Sequence, residues 1–178
     1  MNRHWIVSVP FLLSTVLLAP DVRAQDSASA ELREAKAYRL TMEKINQFAA
    51  ATKSLRKLAA TDPKACSAVD REDENEGGSL NEQAKRIEAA YPKVVPLLKA
   101  EGLTVREFIL LAVVQMQAGM AAYAKSMGMK ELPSDVNPEN VAFMEQHKKE
   151  LDAVTADLKK VPDPCDQGDQ DEHAEDKQ

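Results

Sequence analysis

Apolar side chains recur along most of the chain at intervals of three and four residues, the spacing of one face of an α-helix. The pattern predicts a first continuous helix over residues 31–61, preceded by a polar, flexible lead at residues 25–30 and ended by Asp62-Pro63. Its apolar face consists of Tyr38, Met42, Ile45, Phe48, Thr52, Leu55 and Ala59.

A second helix is predicted to begin at Ser79, which can form a capping box with Glu82. Its apolar face continues as far as Leu98. Pro92 and Pro96 each lack an amide donor and crowd the preceding turn, so we expect a kinked helix or two short ones, ending near Gly102.

The most apolar stretch after the N-terminal segment, FILLAVVQMQAGM, belongs to a third predicted helix that ends at Gly128. Thr104 and Glu107 form a capping box at its start, and Leu103 and Phe108 occupy the positions of a hydrophobic staple. Its apolar core is shorter than the roughly 20 residues of a membrane span. A helix that is apolar on all sides between amphipathic neighbours is predicted to be the buried, central one.

The last predicted helix has Asn137 as its N-cap and Pro138 in its first turn, with Val136 and Val141 as a staple. It is expected to continue to residue 161 on the apolar face Val141, Met144, His147, Leu151, Val154, Leu158 and Val161.

These elements predict an all-α fold: a four-helix-bundle-like domain at residues 25–161, with an apolar central third helix, a kinked second helix and an acidic linker at residues 64–78 after helix one. Residues 162–178 are acidic and are predicted to form a disordered tail.

Residues 1–24 are predicted to be a secretory signal peptide. Arg3 precedes an apolar core at residues 6–19, and Val22-Arg23-Ala24 suits cleavage before Gln25. We therefore expect an exported protein, in the periplasm or else outside the cell, without stable membrane insertion after cleavage.

Charge and motifs narrow the function classes. Loss of residues 1–24 removes two of 23 basic and one of 29 acidic side chains, so the net charge changes from −6 to −7. An acidic chain is poorly suited to nucleic acid. The sequence has no GxSxG, HExxH, P-loop or GxGxxG motif, so a non-enzyme without a cofactor is predicted.

The two cysteines, Cys66 and Cys165, are predicted to form a structural disulfide, because neither lies in a CxxC or Cys/His cluster. Such a bond would place the C-terminal ends of the first and last helices together. Helix one would then run parallel to helix two, and the linker would cross back along the bundle.

Three sets of residues are candidate ligand sites, and each has a simpler explanation as core packing or, for the acidic run, as a solvated linker. Met116 and Met120, with Met127 and Met129 nearby, could bind Cu(I), but their face is that of a packing stripe and favours core filling. Met42 and His147 could hold a haem, although nothing else marks a porphyrin pocket. The run DREDENEGG fails the calcium-loop pattern in two frames and leaves open only weak divalent-ion binding.

The segments GLTVREFILLAVVQMQAGM and NPENVAFMEQHKKEL resemble a group of exported bacterial helical proteins without an assigned function, through their GLTxREF and NPxNVAF helix starts. The resemblance covers about half of the mature chain and implies an exported all-α domain, with no activity or cofactor. Leu103-Thr104 with Glu107 is also similar to the LTxxQ motif of periplasmic helical chaperones and metal-stress proteins, with Glu in place of Gln and one copy instead of two.

The sequence thus predicts an exported, non-enzymatic helical module that binds an unknown protein or small ligand on a helix face or in a groove. The alternative is a periplasmic stress or metal-handling protein that uses the methionine-bearing helix and the acidic segments. An enzyme ranks third.

Overall fold

The computed structural model describes residues 22–66, 78–129 and 131–165, and all regular secondary structure in these ranges is helical, which confirms the predicted all-α class. The predicted signal peptide up to residue 21, most of the acidic linker and the tail beyond Cys165 lie outside them. The α-helices are α1 (Val22–Ala37), α2 (Met42–Thr61), α3 (Leu80–Ala90), α4 (Val94–Ala100), α5 (Val105–Ser126), α6 (Pro138–Gln146) and α7 (Lys148–Leu158).

The predicted first helix is interrupted at residues 38–41, between α1 and α2. Thr41 caps α2 by accepting a hydrogen bond from the amide of Lys44 at 3.2 Å. The prediction of one helix over residues 31–61 was wrong because the apolar spacing continues through the break, whereas the groups that stabilise the break come from a distant part of the chain. The prediction of a flexible lead at residues 25–30 was also wrong, since α1 already begins at Val22.

The predicted second helix consists of the two short helices α3 and α4, as the prolines indicated. Ser79 and Glu82 form both bonds of the predicted capping box. Pro92 lies in the turn between the helices. Pro96 lies in the first turn of α4, where an amide would have no helical acceptor in any case, so it does not interrupt a helix.

Contacts at both ends of α3 define its direction. The amide of Leu80, at its start, donates to Glu31 of α1 at 2.6 Å, and Lys93, just beyond its end, binds Asp62 after α2 at 2.8 Å. The chain therefore returns from Cys66 toward α1 before α3 begins, as the predicted crossover requires, and α3 then runs toward the C-terminal end of α2.

The helix α5 begins and ends within two residues of the prediction. Its first half is buried through Ile109, Leu110, Leu111 and Val114, while in its second half Ala118 and Ala121 are buried and the other side is exposed. The prediction of a helix buried on all sides is therefore wrong for the second half. By length and composition α5 could also cross a membrane, a test that core helices of soluble proteins pass as well.

The predicted last helix begins at Pro138 with Asn137 as its N-cap, as expected, but it is divided at His147 into α6 and α7. The backbone of His147 has φ −100° and ψ 19°, outside the helical region, and its ring packs on Phe143 with 4.6 Å between ring centroids. No proline or glycine marks this kink, so the apolar spacing alone could not reveal it.

The segment after α7 is fixed by Arg56 of α2. The guanidinium donates to the carbonyl oxygens of Leu158 at 2.9 Å and Val161 at 3.2 Å, and it pairs with Asp163 at 2.8 Å. The predicted disordered tail therefore begins too early at residue 162, because residues 162–165 are held against α2.

Residues 40–66 and 140–165 lie side by side and run in the same direction. Contacts join residues that are 99 to 104 positions apart at successive points along both: Leu40 with Asn140, Arg56 with Leu158, Lys53 with Asp157, and Cys66 with Cys165. The two cysteines are at disulfide distance, with Cα atoms 5.3 Å apart, at the C-terminal ends of these parallel segments.

Candidate functional site

The second half of α5 and the turn after it expose five large apolar side chains, with 52% to 72% of each accessible to solvent. The first four are separated by four, three and four residues, which at 100° per residue places them within an arc of about 60° on one side of the helix. We call these residues the methionine face: Met116, Met120, Tyr123, Met127 and Met129.

The opposite side of α5 explains why these residues point outward. Ala118 and Ala121 are buried there, and Ala121 packs with Val136 and Val141 at the start of α6. A Cβ atom on Gly119 would lie 3.5 Å from the end of the Met144 side chain. Small residues thus let α6 approach closely, and the larger side chains are left on the uncovered side.

The sequence prediction that Met116 and Met120 fill the core was therefore wrong. Ile109 lies on the same side of α5 two turns earlier and is buried, so the stripe is covered at one end and bare at the other. Periodicity identified the stripe, but it could not show where the neighbouring helices stop.

The methionine face is large and uncharged. Since a large side chain carries ~150–250 Å², its accessible area is on the order of 600 Å², the upper end of what monomeric proteins leave exposed. No charged residue occurs on α5 between Glu107 and Lys125. Lys125 is on the side of α6, where it binds Glu145 at 2.8 Å.

Within the described residues, no group of three His, Cys, Asp or Glu side chains is arranged to hold a metal ion. Met116 and Met120 are one helical turn apart and both accessible, which is compatible with a soft ion such as Cu(I). The packing argument against such a site does not hold in this fold.

The residues considered for haem binding have other neighbours. Met42 is half-buried against the core. His147 packs its ring on Phe143, and its Nδ1 lies 3.6 Å from a carboxylate oxygen of Glu150. The histidine therefore occupies a position between helices α6 and α7, and haem binding stays a hypothesis that the sequence does not favour.

Glu107 does not complete the capping box predicted for α5. Thr104 accepts from the amide of Glu107 at 3.1 Å, but the carboxylate of Glu107 instead accepts from Lys44 at 2.6 Å and from the hydroxyl of Tyr38 at 3.4 Å. Burial, together with the negative charge of Glu107 and the hydrogen bond to it, raises the pKa of Tyr38 to about 12. The phenol stays protonated at neutral pH and links the α1–α2 break to α5.

Arg106 joins three helices. Its guanidinium forms two bonds to the carboxylate of Glu34 on α1, at 2.6 and 2.5 Å, and its Nε donates to Asn81 on α3 at 2.7 Å. The bonds from Arg106 hold the pKa of Glu34 below its usual value. A cation in the first turn of a helix opposes the helix dipole, and this was a sequence signal that Arg106 needs an acidic partner.

Asn137 and Asn140 stabilise the break between α1 and α2. Asn140 accepts from the amide of Leu40 and donates to the carbonyl oxygen of Tyr38, both at 2.9 Å, while Asn137 donates to the carbonyl oxygen of Lys36 at 2.8 Å. Both side chains are buried. Their role is therefore structural, and only the N-cap was predictable from the sequence.

The chain matches no protein family, no curated protein and no solved structure. The resemblance to exported helical proteins thus stays a prediction, and the function has to be argued from the methionine face itself.

Proposed function

We propose that the protein is an exported, non-enzymatic helical module that binds an apolar helix of a partner protein through the methionine face. The observation that carries the proposal is the exposure of five large apolar side chains along the second half of α5 and the turn after it, the first four of them on one side. Export is supported by the signal-peptide pattern of residues 1–24 and weakly by two cysteines at disulfide distance.

The spacing of the face suits a helical partner. Intervals of four, three and four residues are those at which two α-helices pack along a seam. Methionine side chains are flexible and polarizable, so they adapt to differently shaped apolar surfaces. The absence of charge on this part of α5 makes apolar contact the main source of affinity.

The area of the face favours a transient partner over a permanent dimer. Permanent homodimer interfaces bury ~1,000–2,500 Å² per partner, about two to four times the order of 600 Å² that these five side chains offer. A single helix laid along α5 would cover the face, and we therefore expect weak, reversible binding.

The test uses a fluorescent 18-residue amphipathic peptide of leucine and lysine, with binding to the purified, oxidised protein followed by anisotropy. We expect saturable binding that Met120→Glu or Tyr123→Glu weakens by at least about tenfold, because each places a charge in an apolar contact. Because the peptide is cationic, the added carboxylate would strengthen a purely electrostatic interaction. A loss of affinity therefore identifies apolar contact.

Leu32→Glu is the matched control, because Leu32 is 51% exposed and belongs to α1 instead of α5. Equal loss of binding in this variant, or no binding by the unmodified protein, would contradict the proposal. Analytical ultracentrifugation should show a monomer at tens of micromolar. A dimer that Met120→Glu dissociates would instead identify a second copy of the chain as the partner.

A second candidate, the handling of a soft metal ion, is favoured by the accessibility of Met116 and Met120 one turn apart. Cu(I) titration in competition with a chromophoric chelator, without oxygen, should detect binding that the double variant Met116→Leu with Met120→Leu abolishes. Met42→Leu is the control. Leucine keeps the face apolar, so the double variant should still bind the peptide, and an unchanged Cu(I) affinity would exclude this candidate.

A further inference from the structure

The methionines of the chain occupy two distinct environments. Met42 and Met144 are half-buried and pack against the core. Met116, Met120, Met127 and Met129 each expose more than half of their surface, and all belong to the methionine face. Met1, the remaining methionine of the sequence, lies in the predicted signal peptide.

We propose that the methionine face is a reversible oxidation site. Two-electron oxidants of the peroxide or hypohalous acid class convert its four thioethers to sulfoxides while the protein stays folded, and this changes the face from apolar to polar. Loss of partner binding on oxidation is a further consequence that rests on the function proposed above.

The chemistry at each sulfur is the addition of one oxygen atom. With hydrogen peroxide, a lone pair of the thioether attacks one oxygen, an S–O bond forms and the O–O bond breaks. With hypochlorous acid, the lone pair attacks chlorine and hydroxide leaves as the O–Cl bond breaks; water then attacks the sulfur, an S–O bond forms, and chloride and two protons leave, one of which neutralises the hydroxide. The sulfur is oxidised to a sulfoxide, and hydrogen peroxide is reduced to water or hypochlorous acid to chloride and a proton. Methionine sulfoxide reductases, one for each sulfoxide epimer, reverse the reaction.

The fold separates the reactive sulfurs from those on which packing depends. Oxygen atoms added to the methionine face would point into water, because this side of α5 is uncovered. A sulfoxide at Met144 would instead lie near Gly119 on α5, where a Cβ atom would be 3.5 Å from the end of the Met144 side chain. Oxidation that follows accessibility therefore spares the α5–α6 contact and leaves the helix in place.

The effect on the face is large because four of its five members are thioethers. Each sulfoxide is a strong hydrogen-bond acceptor that loses its water when an apolar helix covers it. Tyr123 is the one member that peroxide leaves unchanged in this scheme. After oxidation the face no longer offers a continuous apolar stripe.

The test treats the purified, folded protein with graded hydrogen peroxide and measures each methionine by peptide mass spectrometry. We expect the four exposed methionines to be oxidised at least about tenfold faster than Met42 and Met144, in line with their accessibility. Circular dichroism should show an unchanged helix content. Hydrophobic-interaction chromatography should show earlier elution, which the two sulfoxide reductases restore.

The control variant carries leucine at all four exposed positions: Met116→Leu, Met120→Leu, Met127→Leu and Met129→Leu. Its retention should not change with peroxide, because the face stays apolar. Oxidation of Met42 or Met144 as fast as the exposed group, unfolding of the oxidised protein, or unchanged retention of the unsubstituted protein would each overturn the inference.

Binding of the leucine–lysine peptide separates this inference from the proposed function. If the untreated protein does not bind the peptide, the proposed function fails, while mass spectrometry and retention still decide the oxidation site. If the protein binds the peptide equally well before and after complete oxidation of the face, the proposed loss of binding on oxidation is wrong. The proposed function as a helix-binding module is then supported.

Discussion

The side chain of Asn140 is only 2% exposed, yet both ends of its amide are used. Its oxygen accepts from the amide of Leu40 and its nitrogen donates to the carbonyl oxygen of Tyr38. An asparagine amide can copy the donor and acceptor pattern of a backbone peptide. A distant residue thus supplies the two partners that the broken helix between α1 and α2 lacks.

We expect Asn140→Ala to destabilise the protein by about 2–4 kcal/mol, because it leaves a buried amide and a buried carbonyl oxygen with fewer partners. Urea unfolding followed by circular dichroism measures this change. Asn46→Ala, at an exposed position on α2, is the control and should change the stability by less than about 0.5 kcal/mol. Similar effects of the two substitutions would show that the Asn140 bonds are not important.

Residues whose roles depend on near neighbours were predictable, and those with distant partners were not. Ser79, Thr104 and Asn137 were identified as N-caps because a cap bonds to amides two or three residues away. Asn140 and the exposed methionines were missed, because their surroundings are set by segments far away in the sequence.

At the level of elements, the helix ends were predicted better than the helix interiors. The starts of α3, α5 and α6 follow from capping residues, and the end of α5 follows from Gly128 with φ +95°. The interruptions at residues 38–41 and at His147 preserve the apolar spacing, so no pattern of hydrophobic positions distinguishes them from continuous helix.

Substitution by alanine should change the stability in opposite directions at two glycines, one in a turn between helices and one inside a helix. Gly102, between α4 and α5, has φ +76°, and a Cβ there would lie 3.3 Å from Gln47, so Gly102→Ala should destabilise by about 1–2 kcal/mol. Gly119 lies inside α5, where a Cβ makes an ordinary contact with Met144, so Gly119→Ala should stabilise by about 0.5–1 kcal/mol.

Thermal unfolding should therefore show a lower Tm for Gly102→Ala and a higher Tm for Gly119→Ala, with shifts of about 2–4 °C per kcal/mol for a chain of this size. Shifts of the same sign would mean that the α5–α6 contact is tighter than described, or that the turn at Gly102 accepts a side chain.

For the molecule as a whole, the parallel pairing of its first and last described segments determines the topology. The crossover was predictable from two cysteines and short loops, because few arrangements of four helices place both cysteines at the same end. The exposure of one side of the second half of α5 was not predictable. It depends on how far the neighbouring helices extend along α5, and packing between distant segments determines this.

The predicted disulfide between Cys66 and Cys165 should contribute strongly to the stability of the fold. Closing a loop of 99 residues reduces the entropy of the unfolded chain, so Cys66→Ser with Cys165→Ser should lower the free energy of unfolding by about 4.7 kcal/mol in the chain-entropy model. Guanidinium unfolding measures the change. A reducing agent should destabilise the unsubstituted protein but not the variant, and equal stability of both proteins would contradict the bond.

The pairing of residues about 100 positions apart also imposes an order on biosynthesis. When the ribosome has completed α2, the chain that contacts Leu40 and Arg56 has not yet been made. At about 5–20 residues per second, roughly 5–20 s pass before it emerges. The segment from Leu40 to Arg56 therefore lacks these contacts until Asn140 and Leu158 have been synthesised.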